Sequence, residues 1–291
     1  MDYSNNRGID LHIHSTASDG TYSPKEILTL AKRQNLAVIA ITDHDTIDGS
    51  KEALAADIPP DLKLITGIEI SAASPSSFFC SGSFHILGYS FRLDDPLLNQ
   101  TLSKLQLARK NRNPAIVKLL NDLGIKISIQ EVAEFAGDGQ TGRPHIARLM
   151  MEKGFVGSID EAFDKYLGKG KPAYVDKYRI ECSKVIEIII GAGGVPVLAH
   201  PAFTEIGSGR EFEKLIVELK EMGLKGIEAY YSEHTEEQIS YYLKLAKKHE
   251  LLITGGTDFH GSLKPGVNMG CGRGDFHVPY YLYEDLIKQL R

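Results

Sequence analysis

At 291 residues, with 42% hydrophobic and 24% charged side chains, the chain has the balance of one large α/β domain, or of one domain carrying an insertion. No apolar stretch approaches the roughly 20 residues of a membrane span, and residues 1–7 lack the basic start and apolar core of a secretion signal, so a cytoplasmic protein is expected. A net charge of −5 excludes a general nucleic-acid coat protein, and Cys80, Cys182 and Cys271 are too scattered for a disulfide framework or a thiolate zinc site.

Residues 9–13 read as a short buried strand. Ser23-Pro24-Lys25-Glu26 then opens a helix, with Ser23 as N-cap and Pro24 at the first helical position. Continuous apolar runs at 37–41, 62–70 and 84–91 have strand length and no polar alternation, which predicts a parallel sheet covered on both faces. From about residue 94 the apolar spacing becomes helical. A helix is expected over 97–123, with Gly124 as its stop and Asn113-Pro114 as a kink or interruption, followed by shorter helices over 129–136, 144–152 and 158–167. Little strand signal returns before 172–175. The alternation then resumes: helix 183–190, strand 195–199, helix 210–222, strand 226–230, helix 236–249 and strand 251–255. Seven or eight such units predict an α/β barrel, distorted and carrying its chemistry at the carboxyl ends of the strands. The barrel is expected over 1–93 and 178–291, with a helical insertion, or cap, over 94–177.

Chemistry-bearing residues gather where the predicted strands run out. Asp10-Leu11-His12-Ile13-His14 puts two imidazoles two residues apart, on one face of a strand. Asp258 and His260 repeat that spacing. Thr42-Asp43-His44-Asp45 and Ala199-His200-Pro201 end other runs, and Pro201 biases His200 towards extended backbone. Glu69 closes Leu64-Ile65-Thr66-Gly67-Ile68-Glu69, where a bare carboxylate is costly to bury without a cation. Such a set of imidazoles and carboxylates suits manganese, iron, zinc or magnesium, and points to a multi-metal hydrolytic site.

These motifs resemble the PHP family, named for polymerase and histidinol phosphatase. The resemblance rests on His12-Ile13-His14, Asp19 in Ser18-Asp19-Gly20-Thr21, Thr42-Asp43-His44-Asp45, Gly67-Ile68-Glu69, His85, Ala199-His200-Pro201 and Asp258-Phe259-His260. It implies a distorted (β/α)7 barrel and two to three divalent ions, manganese first. His12, His14, Glu69 and Asp258 would hold the first ion, and Glu69 would bridge to a second held by His85 and His200. Asp19, His44 and His260 would hold a third, with Asp19 standing where many relatives have histidine. Asp258 and Glu69 are the expected catalytic carboxylates.

Inside the helical segment, Thr141-Gly142-Arg143-Pro144-His145-Ile146-Ala147-Arg148 opens a helix and resembles a run typical of relatives that act on nucleotides. Arg143 is a candidate for bidentate phosphate contact, with His145 and Arg148 as weaker candidates. Residues 96–179 carry 14 Lys/Arg against 9 Asp/Glu, a basic excess on the expected substrate side. His234, beyond the strand at 226–230, is a further substrate-side candidate, although a surface position suits it better. Gly193-Gly194 and Gly255-Gly256 read as tight backbone positions rather than a dinucleotide loop, because no GxGxxG follows the first strand.

The expected activity is that of a metal-dependent phosphoesterase acting on a small nucleotide. The resemblance points to a nucleoside 3′,5′-bisphosphate giving a 5′-mononucleotide, with 5′→3′ exonuclease action on short RNA as the alternative. Histidinol phosphatase and a non-catalytic module are weaker readings. No membrane contact and no stable nucleic-acid partner are expected, and the sequence does not give the oligomeric state.

Overall fold

The first strand, β1 (Ile9–Ile13), is buried along its whole length and pairs in parallel with β2 (Val38–Ile41), which pairs in parallel with β3 (Lys63–Ala73). The helices between them are α1 (Pro24–Arg33) and α2 (Asp48–Leu54), of which α2 escapes the sequence reading. In α1 the Ser23 hydroxyl accepts from the Glu26 N–H while the Glu26 side chain accepts from the Ser23 N–H, so two orphan donors of the first turn are satisfied together. This computed structural model describes residues 7–136, 141–206 and 209–290, so the expectation about a secretion signal falls largely outside it.

The sheet departs from the parallel expectation at β4 (His85–Tyr89), which runs antiparallel to both its neighbours. The cause lies in the connection. Residues 74–84 contain no helix, and a parallel neighbour needs a crossover of a dozen or more residues, whereas a loop can return the chain only antiparallel.

Four helices follow: α3 (Pro96–Asp122), α4 (Ile129–Ala136), α5 (Arg143–Glu152) and α6 (Ile159–Ala162), the last running into a π turn over Phe163–Leu167. The kink expected at Pro114 does not end α3, which continues through it. Leu98, Leu102 and Leu105 pack into the core of the barrel's outer layer, whereas Ile116, Val117 and Leu120 pack with α5 into a separate core. Tertiary packing on both halves thus overrides one lost backbone bond. No strand forms at 172–175. The short strand there is β5 (Ile180–Glu181), which pairs with Ala72 and Ala73.

The remaining elements are α7 (Cys182–Gly191), β6 (Val195–Leu198), α8 (Arg210–Glu221), β7 (Gly226–Tyr231), α9 (Glu236–Lys248), β8 (Leu252–Gly256) and an unforeseen α10 (Tyr281–Lys288). The sheet order is β1-β2-β3-β4-β6-β7-β8, with β5 off the path. His14 N–H donates to Phe259 O at 2.9 Å and Asp258 N–H to His12 O at 2.8 Å, so the chain beyond β8 returns to β1 and nearly closes a seven-stranded barrel. Ile9, Leu11, Leu87, Tyr89 and Val197 fill its interior. Among the described residues no helix is long and apolar enough to cross a membrane.

Closure depends on one glycine. A Cβ on Gly256 would lie 2.4 Å from both the Cβ and the N of His12. Gly256→Ala should therefore cost roughly 2 kcal/mol or more, lowering Tm by about 4–8 °C. Gly191→Ala, where an added Cβ meets nothing within 4 Å, should leave Tm unchanged in the same thermal melts.

Candidate metal centre

Glu69, near the middle of β3, is 1% exposed and lies among five imidazoles. Its Oε1 is 2.7 Å from His85 Nδ1 and 2.8 Å from His200 Nε2, and those two nitrogens are 3.2 Å apart. Its Oε2 is 2.9 Å from His44 Nδ1, 3.3 Å from His14 Nε2 and 3.4 Å from His12 Nε2. Burial pushes this carboxyl up, but His44, His85 and His12 outweigh burial and hold it well below the usual carboxylate range. Asp258 Oδ1 completes one side, 3.0 Å from His14 Nε2 and 3.4 Å from His12 Nε2. Asp19 Oδ1 lies 3.4 Å from His260 Nε2 and 3.6 Å from His14 Nδ1, and Asp19 Oδ2 lies 3.9 Å from His44 Nε2.

All nine expected ligand side chains are therefore brought together, in groupings that partly differ from expectation. His12, His14, Glu69 and Asp258 form one set; His44 joins Glu69 and His85; and His14 joins Asp19, His44 and His260. The backbone that delivers two of them is also unexpected. His200 has φ 22° and ψ 65° rather than extended geometry, and Asp258, past the end of β8, has φ 54°. The pre-proline bias is overridden because the Glu228 carboxylate accepts from the His200 N–H at 2.7 Å and fixes the turn. Asp258 and His260 share the site through this left-handed turn, not through strand alternation.

The donors fit divalent cations. His12 Nε2, His14 Nε2, Asp19 Oδ1, His44 Nδ1, Glu69 Oε2 and His200 Nδ1 are buried atoms with no hydrogen-bond partner. Buried polar atoms normally find one, and ligand atoms gathered in sets of three or four within 4.8 Å of one another are what cations would satisfy.

A surrounding set of carboxylates is satisfied by the protein itself. Glu228, buried in β7, accepts from His12 Nδ1 at 2.9 Å, which leaves the His12 Nε2 lone pair facing the centre. Asp43 accepts from Ser15 N, Ser15 Oγ and Ser18 Oγ at 2.6–2.7 Å and so shapes the loop carrying His14 and Asp19. Asp10 accepts from Thr257 N and Thr257 Oγ1 and ties β1 to β8; burial raises its carboxyl to about 6. Tyr231 Oη and Lys264 Nζ donate to Asp258 Oδ2 at 2.8 and 2.9 Å.

A cavity opens from Asp19, His44 and His85 towards the helical segment, and five cations line it: Arg109, Arg112, Arg143, Lys177 and Arg179. Asp45 holds two of them, with Arg109 Nη2 at 2.6 Å and Lys177 Nζ at 3.4 Å. Burial pushes the Asp45 carboxyl up, yet Lys177 and Arg109 outweigh it and keep it well below its ordinary range. Burial pushes the Lys177 ammonium down to about 8, with Arg109 beside it acting in the same direction. Arg143 donates to Leu167 O at 2.9 Å and lies 5.5 Å from the ring centres of Phe163 and Tyr174.

The other substrate-side candidates do not line this cavity. His145 Nδ1 accepts from Gly142 N at 3.1 Å and caps α5. Arg148 donates to Ser262 Oγ at 3.3 Å. His234 is buried rather than on the surface, with its ring 5.0 Å from those of Tyr231 and Tyr242. Glu228, missed by the sequence reading, carried the same signal as Glu69: a lone carboxylate inside an apolar strand. Of the cavity cations, Arg143 alone was singled out from the sequence; Arg109, Arg112, Lys177 and Arg179 were legible only as a regional excess of positive charge.

A family description, the PHP domain, matches residues 10–193. A 5′-3′ exoribonuclease of Haemophilus influenzae is 35% identical over 263 residues, covering 89% of this chain and 93% of that protein. A 3′,5′-nucleoside bisphosphate phosphatase of Chromobacterium violaceum is 30% identical over 263 residues, covering 90% of each. A Bifidobacterium adolescentis structure assigned to the metal-dependent phosphoesterases superposes with a TM-score of 0.86 at 27% identity, covering 98% of this chain and 96% of that one. With its barrel, its convergent imidazoles and carboxylates, and these relatives taken together, the chain belongs to the PHP family and is a metal-dependent phosphoesterase.

Proposed function

We propose that the protein removes the 3′-phosphate from a nucleoside 3′,5′-bisphosphate, leaving a 5′-mononucleotide. The observation that carries this reading is the junction of two surfaces: a cation-seeking cluster of orphaned ligand atoms, which would draw phosphate once loaded with metal, and a cavity walled by five cations that opens onto it. A substrate with a phosphate at each end of one sugar fits that pair.

In this reading His12, His14, Glu69 and Asp258 hold one divalent ion; Glu69, His85 and His200 hold a second, with His44 alongside; and Asp19, His44 and His260 hold a third. The donor set, rich in imidazole and carboxylate, suits manganese, with iron, zinc or magnesium as alternatives. The chemistry such ions bring is charge neutralisation of phosphoryl oxygens and acidification of water.

The chain's own residues do the rest. Asp258 and Glu69 are the catalytic carboxylates, and Tyr231 and Lys264 hold the outer oxygen of Asp258 so that its inner oxygen faces the centre. Arg143, its guanidinium beside two aromatic rings, meets the distal phosphate with its remaining N–H groups. Arg109 and Lys177 hold positive charge at the cavity wall against Asp45. The helical segment 94–177 acts as the cap, and the three free thiols suit a reducing compartment, so the cytoplasm is the proposed location.

A second reading, stepwise 5′→3′ hydrolysis of short RNA, is favoured by one observation. Arg179 and Phe84 line both this cavity and a smaller one next to it, so a second hollow lies beside the first.

The deciding experiment offers adenosine 3′,5′-bisphosphate and a short 5′-phosphorylated RNA to manganese-loaded protein. Inorganic phosphate with AMP is expected from the first; hydrolysis of neither would end the nucleotide reading. Arg143→Ala should raise KM for the bisphosphate by about tenfold while kcat changes little, and unchanged kcat/KM would remove Arg143 from the site. Glu228→Gln keeps the shape but weakens the acceptor for His12. It should lower metal affinity by roughly 10- to 100-fold in chelator competition, and native affinity would show that Glu228 does not orient His12.

A further inference from the structure

We infer that the smaller cavity, together with the exposed ring of Phe79, is a subsite for the next nucleotide of a single-stranded RNA. This rests on the phosphoesterase reading above and deepens its second form. Ser74, Cys80, Gly82, Phe84, Lys169 and Arg179 line the cavity. Phe84 immediately precedes His85, whose Nδ1 sits 2.7 Å from Glu69 Oε1, so the cavity begins one residue from the metal centre. A chain whose scissile phosphate sits at that centre must send its next nucleotide away along some wall, and this cavity is a hollow on the far side of the wall that Phe84 forms.

The wall has the two properties that single-stranded nucleic acid requires, positive charge for the backbone and a flat π-face for the base. Lys169 and Arg179 supply the charge; Arg179 also reaches Asp176 Oδ1 at 3.1 Å, with most of its donors left over. Phe79 supplies the face. It is 83% exposed, with Lys169 Nζ 5.7 Å from its ring centre.

That exposure is not the by-product of an unanchored loop. On its carboxyl side Cys80 Sγ lies 3.0 Å from Thr204 O, and Ser81 Oγ donates to Glu205 Oε2 at 2.6 Å. Ser83 N–H donates to Phe203 O at 2.8 Å. The hairpin between β3 and β4 is pinned to the turn that follows His200, and it holds a phenyl ring out into water beside a cationic cavity.

The test compares steady-state hydrolysis of a 5′-phosphorylated RNA tetranucleotide and of adenosine 3′,5′-bisphosphate by manganese-loaded wild type, Phe79→Ala and Lys169→Ala. Loss of one stacking face should raise the tetranucleotide KM by about tenfold. Lys169→Ala should raise it severalfold and make it less sensitive to salt. Both variants should keep bisphosphate turnover within about twofold of wild type, because neither residue borders the first cavity. Since Phe79 packs against little, its loss carries no folding penalty to confuse the result. Unchanged tetranucleotide kinetics, or an equal loss on both substrates, would overturn the subsite. Wild type that turns over the bisphosphate but leaves the tetranucleotide intact would overturn it too, with the phosphatase reading untouched. Hydrolysis of neither would remove that reading and the subsite with it.

Discussion

The buried Glu69 carboxylate, with five imidazoles within 3.4 Å, is the constraint around which the rest is arranged. A carboxylate that deep in protein is costly unless charge or hydrogen bonds compensate it. Among the described residues no backbone N–H does so. Oε2 has no hydrogen-bond partner, and its neighbours His12, His14 and His44 also present unbonded nitrogens. The carboxylates that surround such a centre hold its shape when the protein satisfies them. Asp10, Asp43 and Glu228 are in that position, each accepting two or more hydrogen bonds from named donors. The division is chemical: outer carboxylates are saturated by the protein and stiffen the walls, while inner ones are left open for cations. A set in which both were half-satisfied would neither hold its shape nor bind tightly.

Three of the seven described non-glycine residues with positive φ fall in the same place, while Asn35, Ser90, Glu205 and Glu250 lie elsewhere. Asp45, His200 and Asp258 all have positive φ without being glycine, and each sits at or beside the centre. Such conformations cost about 1–3 kcal/mol and persist where the surroundings over-determine them. At His200 the surroundings are Glu228, which binds its N–H. At Asp45 they are the Ser71 N–H, which donates to Oδ1 at 2.9 Å, together with Arg109 and Lys177.

That division explains what was legible in the sequence. Most histidines and carboxylates of the centre lie in or at the end of an apolar run, and residues such as His12 and Glu69 stand out because nothing else accounts for them there. The barrel follows from the same runs. What could not be read was set by contacts between distant segments. The direction of β4 depends on the absence of a helix in 74–84, a segment whose length alone does not forbid one. The left-handed turn at His200 depends on Glu228, 28 residues away. The cavity cations come from α3, α5 and the stretch before β5, and only the folded chain joins them. Glu228 is the residue that could have been read and was not: Gly226-Ile227-Glu228-Ala229-Tyr230 poses the question that Glu69 poses, and the answer is a hydrogen bond rather than a metal.

Asp45 ties the two halves of the site into one electrostatic unit. It neighbours His44 in sequence, and its carboxylate grips Arg109 from α3 and Lys177 from the far end of the helical segment. Two of the five cavity cations are therefore neutralised in part and held rigidly, whereas Arg112 and Arg143 face no carboxylate at hydrogen-bond distance and are steadied by carbonyls instead, Val175 O at 2.8 Å and Leu167 O at 2.9 Å. Carbonyls orient a guanidinium without cancelling its charge, so the positive charge is least offset on the Arg112 and Arg143 side of the cavity, away from Asp45. An anion entering there gains most from the arginines that have no acid of their own, and the acid beside His44 keeps the nearer cations from competing for the cluster's carboxylates. The arrangement separates a place suited to positive ions from a place for positive side chains, and the proposed substrate, with phosphate at both ends, would span the boundary between them.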